Sequence, residues 1–144
     1  MSIFRIQRVI PAAPERVYRA WLDPDTLASW SAPGGYDVIR HEVDERVGGR
    51  YRCWQINPAG EAMGYEAEIL ELVPNERIVF RWFYVDADRV IDESAESRLT
   101  VVLAPVEGGA TLLTVLHDNL GGLADADAVQ SGWSEALNRF VDAL

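Results

Sequence analysis

Lysine is missing from this chain: all 13 basic residues are arginine, against 23 aspartates and glutamates. Without a lysine amine there is no Schiff-base chemistry, so a pyridoxal phosphate mechanism is excluded, as is the usual phosphate-loop lysine. Arginine-only usage fits a GC-rich bacterial genome. The net charge of −10, with no basic run to offset it, leaves nothing to neutralise phosphates. Neither nucleic acid nor an anionic membrane is expected as a partner. Cys53 is the only cysteine, so no internal disulfide forms, which fits a reducing compartment. Its place within Tyr51-Arg52-Cys53-Trp54 reads as a small buried core residue. Histidine is nearly as scarce: His41 and His117 belong to no HxH or HExxH pattern, and no metal site is expected. Asp86-Ala87-Asp88 and Asp125-Ala126-Asp127 lack the glycine and closing glutamate of a calcium loop. No G-x-S-x-G or G-x-G-x-x-G occurs, so no cofactor is expected. No stretch approaches the roughly 20 apolar residues that cross a bilayer. The opening Met1-Ser2-Ile3-Phe4-Arg5 lacks the apolar run of a signal peptide, and a cytoplasmic location follows as the expectation.

What the chain does have is periodicity. Its 144 residues suit one domain, residues 1–144, with no repeat or linker. Residues 3–10 alternate as a first strand. Pro14 and Asp23-Pro24 each open a short helix, the first turning Val17, Tyr18 and Trp21 to one side, the second Leu27 and Trp30. Ala32-Pro33-Gly34-Gly35 closes this pair. Strands are then expected over 36–43, 50–56, 63–73, 78–85, 99–103 and 111–117. The turns between them include Gly48-Gly49, Asn57-Pro58-Ala59-Gly60, Pro74-Asn75-Glu76 and Glu107-Gly108-Gly109, with an acidic loop over 86–93. Short turns between successive strands imply antiparallel pairing. After Gly121-Gly122 the period becomes 3.6. Val129, Trp133, Ala136, Leu137, Phe140, Val141 and Leu144 form an apolar stripe, with Ser131, Glu135, Asn138 and Asp142 opposite. The expectation is an α+β helix-grip domain, six to seven curved antiparallel strands wrapped around one long C-terminal helix.

Several segments resemble a known family. They are Ala13-Pro14-Glu15-Arg16-Val17-Tyr18-Arg19-Ala20-Trp21, Asp23-Pro24 leading to Leu27 and Trp30, and Val43-Asp44-Glu45-Arg46-Val47-Gly48-Gly49-Arg50-Tyr51. Pro74-Asn75-Glu76-Arg77-Ile78-Val79-Phe80-Arg81-Trp82, His117, and Gly132-Trp133 with Leu137 complete the set. The chain is similar to the bacterial proteins related to the activator of the ninety-kilodalton heat-shock protein ATPase. Those belong to the START-like superfamily that includes the birch pollen allergen. The resemblance implies a helix-grip fold and a pocket protein, and it leaves a chaperone partner open.

Strand register turns Tyr51, Cys53 and Gln55 to one face, with Tyr65, Ala67 and Ile69, then Ile78, Phe80, Trp82 and Tyr84. Leu99, Val101 and Leu103 join Leu113, Val115 and His117 on the same side. Closed by the terminal helix, such a face packs solid or leaves a cleft. The expected pocket comprises Tyr51, Cys53, Tyr65, Ile69, Phe80, Trp82, Tyr84, Val101, Val115, His117, Trp133, Leu137 and Phe140, with His117 towards its mouth. The leading expectation is a carrier or sensor of a small apolar molecule. An enzyme of cyclase or hydrolase type, using His117 and a pocket tyrosine, is the second reading, and a co-chaperone-like interaction module the third. A structural role for His117, bonding the end of its strand, is favoured over an acid–base one. Glu45, Arg46 and Arg50, flanking Gly48-Gly49, are expected in surface ion pairs. A homodimer is left open.

Overall fold

The computed structural model describes residues 4–31, 35–85, 96–118 and 126–144, apart from the side chains of Arg40, Tyr84, Val85 and residues 126–129. Ile3, the 32–34 part of the first loop, the acidic 86–93 loop, Gly121-Gly122 and the Val129 and Tyr84 side chains therefore lie outside the described residues. Strand β1 (Phe4–Ile10) precedes helices α1 (Pro14–Leu22) and α2 (Pro24–Trp30). Strands β2 (Asp37–Val43), β3 (Arg50–Ile56), β4 (Ala62–Val73), β5 (Arg77–Val85), β6 (Ser97–Val106) and β7 (Ala110–Asp118) follow, then α3 (Ala126–Ala143). Every neighbour in the seven-stranded order β1-β7-β6-β5-β4-β3-β2 pairs antiparallel.

Local chemistry sets the boundaries. Pro14 occupies the first turn of α1, where its missing N–H is not needed. Asp23 caps α2, its carboxylate accepting from Thr26 N–H and, at 2.7 Å, from the Thr26 hydroxyl. Asn75 turns the β4–β5 hairpin with φ 65°, the left-handed region that asparagine tolerates. Gly64 faces Trp54 across the β3–β4 ladder, where an added Cβ would lie 2.0 Å from the Cys53 carbonyl oxygen. Only glycine lets the two backbones approach that closely. Two elements run longer than their sequence signals. β6 continues through Ala104-Pro105 to Val106, because Pro105 sits near the exposed hairpin end; α3 begins at Ala126, ahead of the apolar stripe.

Strand alternation divides the sheet into two faces. The concave side buries Tyr51, Cys53, Ala67, Ile69, Ile78, Phe80, Trp82, Leu99, Val101, Leu113 and Val115 with the α3 residues Leu137 and Phe140. On α3, Ser131, Glu135, Asn138 and Asp142 are exposed. The convex side is covered differently. Arg52 reaches Glu66 at 2.7 Å and Glu42 at 3.1 Å, and Arg81 reaches Glu96 at 2.6 Å. The Arg81 guanidinium lies 5.0 Å from the centre of the Phe83 ring. Arginine stems thus shield apolar side chains such as Phe83 while their heads stay in water. At the Gly48-Gly49 turn, Arg46 pairs with Asp44 at 2.8 Å and Glu45 with Arg19 at 2.6 Å; Arg50 makes no such pair among the described residues. No helix of the described residues is long and apolar enough to cross a membrane.

Candidate functional site

The backbone of α3 rests mainly on α2 and β1, so it stands away from β3, β4 and β5. The space left is a cleft of about 500 Å³, within the usual range for small-molecule sites. Its floor is Tyr51 and Gln55 of β3, Met63 and Tyr65 of β4, and Trp82 of β5. Gly132, Trp133, Ala136 and Arg139 of α3 form one wall, and Trp21, Trp30, Ser31 and Tyr36 the other.

The aromatic lining is locked by its own contacts. Tyr65 stacks on Trp82 with ring centres 4.2 Å apart, and Trp21 on Trp133 at 6.0 Å. Trp82 and Trp133 meet at 5.5 Å across the gap. The Tyr51 hydroxyl donates to the Trp21 carbonyl at 2.7 Å, and Trp30 Nε1 donates to the Ala20 carbonyl at 3.2 Å. These bonds tie the Tyr51 and Trp30 rings to the backbone beside the cleft.

A polar cluster lies behind the floor. Cys53 Sγ is 3.0 Å from His41 Nε2, and Ser31 Oγ is 3.5 Å from the same nitrogen. Cys53 also hydrogen-bonds with Tyr65. Burial raises the Cys53 thiol and lowers the His41 imidazole, so the pair is held neutral, thiol beside imidazole, rather than as a reactive ion pair. Burial also pushes the Tyr51 and Tyr65 phenols well above 10. Among the described residues no group of three metal-ligating side chains comes together.

Of the residues expected to form a pocket, Tyr51, Tyr65, Trp82 and Trp133 border the cleft. Cys53, Ile69, Phe80, Val101, Val115, Leu137 and Phe140 face the same interior but are enclosed in the packed core beside it. The side chain of Tyr84 is outside the described residues. His117 does not stand at a mouth. It is fully buried, 2.7 Å from Ser97 Oγ and 5.4 Å from the Phe4 ring, and burial lowers its pKa to about 4. Sheet order and the terminal helix account for this: β7 lies between β1 and β6, so Phe4 and Leu99 flank His117, and the Trp82 and Trp133 rings lie 6.3 Å from its imidazole. Sequence reasoning did not assign Trp21, Trp30, Ser31, Tyr36, Gln55, Met63, Gly132, Ala136 or Arg139 to the site. Two of these carried a signal: Gln55 interrupts an inward apolar alternation, and Gly132 is a helix-interior glycine beside the stripe.

A curved antiparallel sheet gripping one long helix over an aromatic cleft defines a START-like, helix-grip domain. The model of the family described as Activator of Hsp90 ATPase homolog 1-like protein matches residues 11–144, and the chain belongs to that family. A solved structure of a Chromobacterium violaceum protein is 32% identical, with all of this chain and 98% of that one covered and a TM-score of 0.83. A Rhizobium loti protein is 28% identical, covering 99% of this chain and 96% of its own, at a TM-score of 0.81. An AHSA1 protein of Silicibacter pomeroyi, 24% identical over 98% of this chain and 96% of its own, shares the fold at a TM-score of 0.84. No curated protein matches the chain.

Proposed function

We propose that this protein binds a small, largely apolar and aromatic molecule in the cleft between β3–β5 and α3, as a carrier or sensor in the bacterial cytoplasm. The observation that carries the reading is the cleft itself: about 500 Å³ lined by stacked tryptophans and tyrosines, of which Tyr51 and Trp30 are bonded to backbone through their polar ends. Gly132 adds to it. A glycine inside a helix forgoes roughly 0.5–1 kcal/mol relative to alanine, yet at this position an added Cβ would meet nothing within 4 Å. Nothing steric among the described residues requires the glycine; keeping it leaves the cleft wall low. The net charge of −10 favours a small molecule over nucleic acid or an anionic membrane as the partner. The acid–base reading through His117 gains no support from a neutral imidazole that does not line the cleft and sits behind the Trp82 and Trp133 rings.

A neutral fluorescent arene, N-phenyl-1-naphthylamine, tests the proposal. It should bind at close to one equivalent, with micromolar affinity and quenching of tryptophan emission, since Trp21, Trp30, Trp82 and Trp133 all border the site. No saturable binding would overturn the carrier reading, and the co-chaperone-like interaction module would take its place.

A further inference from the structure

We infer that the molecule held in the cleft is an amphipathic anion, an aromatic body carrying one carboxylate-class head, and that Arg139 receives the head. The inference rests on the ligand-binding reading above and names the chemical class of the ligand.

Arg139 is the one charged side chain among the cleft's described lining residues. Its Nε donates to the Trp30 carbonyl at 3.0 Å, the last carbonyl of α2. That bond uses one of five N–H donors. The two terminal amino groups have no carboxylate within ion-pair distance among the described residues; Arg5, Arg8, Arg16, Arg50 and Arg98 share that state, but none of them borders the cleft. In a chain with 23 acids and 13 bases, an arginine with its fork unspent beside an apolar cleft stands out. Glu135, one turn earlier on α3, is exposed and only its field reaches Arg139. Burial of the guanidinium is therefore incompletely offset, and an oxyanion from the cleft side would complete it in bidentate geometry.

A second donor points the same way. Trp21 is fully buried and borders the cleft, and its Nε1 has no hydrogen-bond partner among the described residues. Buried donors without acceptors are rare because the lost hydration is not recovered. A ligand oxygen would supply the acceptor. Gln55 Oε1, an acceptor on the cleft floor without a partner among the described residues, would take a hydroxyl or amide on the ligand body. The bland role of Arg139, holding the carboxyl end of α2 through Trp30, needs Nε alone.

The test pairs two probes with the same arene, N-phenyl-1-naphthylamine and its sulfonate, 8-anilinonaphthalene-1-sulfonate, titrated against the whole chain. Arg139→Gln keeps a donor for the Trp30 carbonyl but removes the charge. It should weaken the sulfonate about tenfold, the worth of one charge-assisted hydrogen bond, and leave the neutral probe within about twofold. Arg139→Lys, which keeps the charge but not the fork, should restore only part of the sulfonate affinity. Should Arg139→Gln fail to fold, Glu135→Gln reads the same interaction with opposite sign, raising sulfonate affinity about twofold. A sulfonate-to-neutral affinity ratio unchanged by these substitutions overturns the inference while leaving the cleft reading standing. Failure of the neutral probe to bind overturns both.

Discussion

His117 enters the core as a neutral imidazole, and that has a measurable cost in acid. Burial lowers its pKa from 6.5 to about 4 in the folded chain. Between those two values the unfolded state binds a proton that the folded state refuses, so folding stability rises with pH across that window. Above about 6.5 neither state is protonated and the full stability is present. As pH falls towards 4 the His117 contribution declines by up to about 3 kcal/mol, then levels off once the folded state also protonates. His41, lowered by burial as well, acts with the same sign. We expect urea midpoints at pH 7, 5.5 and 4.5 to fall more steeply for the natural chain than for His117→Asn, which cannot titrate. Parallel curves would show that the imidazole is hydrated or protonated in the folded state. The sequence made His117 visible as a strand-end histidine but not as an enclosed one, because exposure at a strand end depends on which strands flank it.

Among the elements, α3 was the easiest to read and the hardest to place. Its 3.6-residue stripe names Trp133, Ala136, Leu137 and Phe140 as inward, and all four are buried. Period two likewise assigned the inward set on every strand from β3 to β7. Neither period says how far the helix stands from the sheet. That distance is set by α1 and α2, whose Trp21 and Trp30 wedge against Trp133 and Phe140, and such contacts between segments distant in sequence leave no local pattern. Hence the site residues contributed by α1, α2 and the rim of α3 were missed, while Tyr51, Tyr65 and Trp82 of the sheet were found and its Gln55 and Met63 were not. The two ends of α3 should differ in energetics. Phe140 is fully enclosed and meets Trp30 edge-on at 4.9 Å, so Phe140→Ala should cost about 3–5 kcal/mol. Gly132→Ala should instead stabilise by roughly 0.5–1 kcal/mol, with open space for its methyl group. Denaturant midpoints measure both; a destabilising Gly132→Ala would mean the start of the helix is not formed as described.

Taken as a whole, the molecule is solid on one side and open on the other. Leu99, Val101, Leu113 and Val115 of β6 and β7, the strands that α1 lies against, fill the enclosed part of the core with branched aliphatics. Towards β3, β4 and β5 the interior surface changes to Tyr51, Tyr65 and Trp82, rings too rigid to fill an irregular gap, and the cleft opens there. A guest bound in that gap would tie α3 to strands against which its backbone packs little, so binding and global stability should be linked. Free neutral arene at 100 times its Kd should add about 2.7 kcal/mol to the unfolding free energy. For a chain of 144 residues that corresponds to a melting temperature raised by about 5–10 °C. Ala136 lies on the cleft wall, buried and small, so Ala136→Phe should push a ring into the vacant volume. The variant should fold, since the ring enters open space rather than packed core, and its melting temperature should no longer respond to the arene. A thermal shift that survives Ala136→Phe would locate the binding somewhere other than between α3 and the β3–β5 floor.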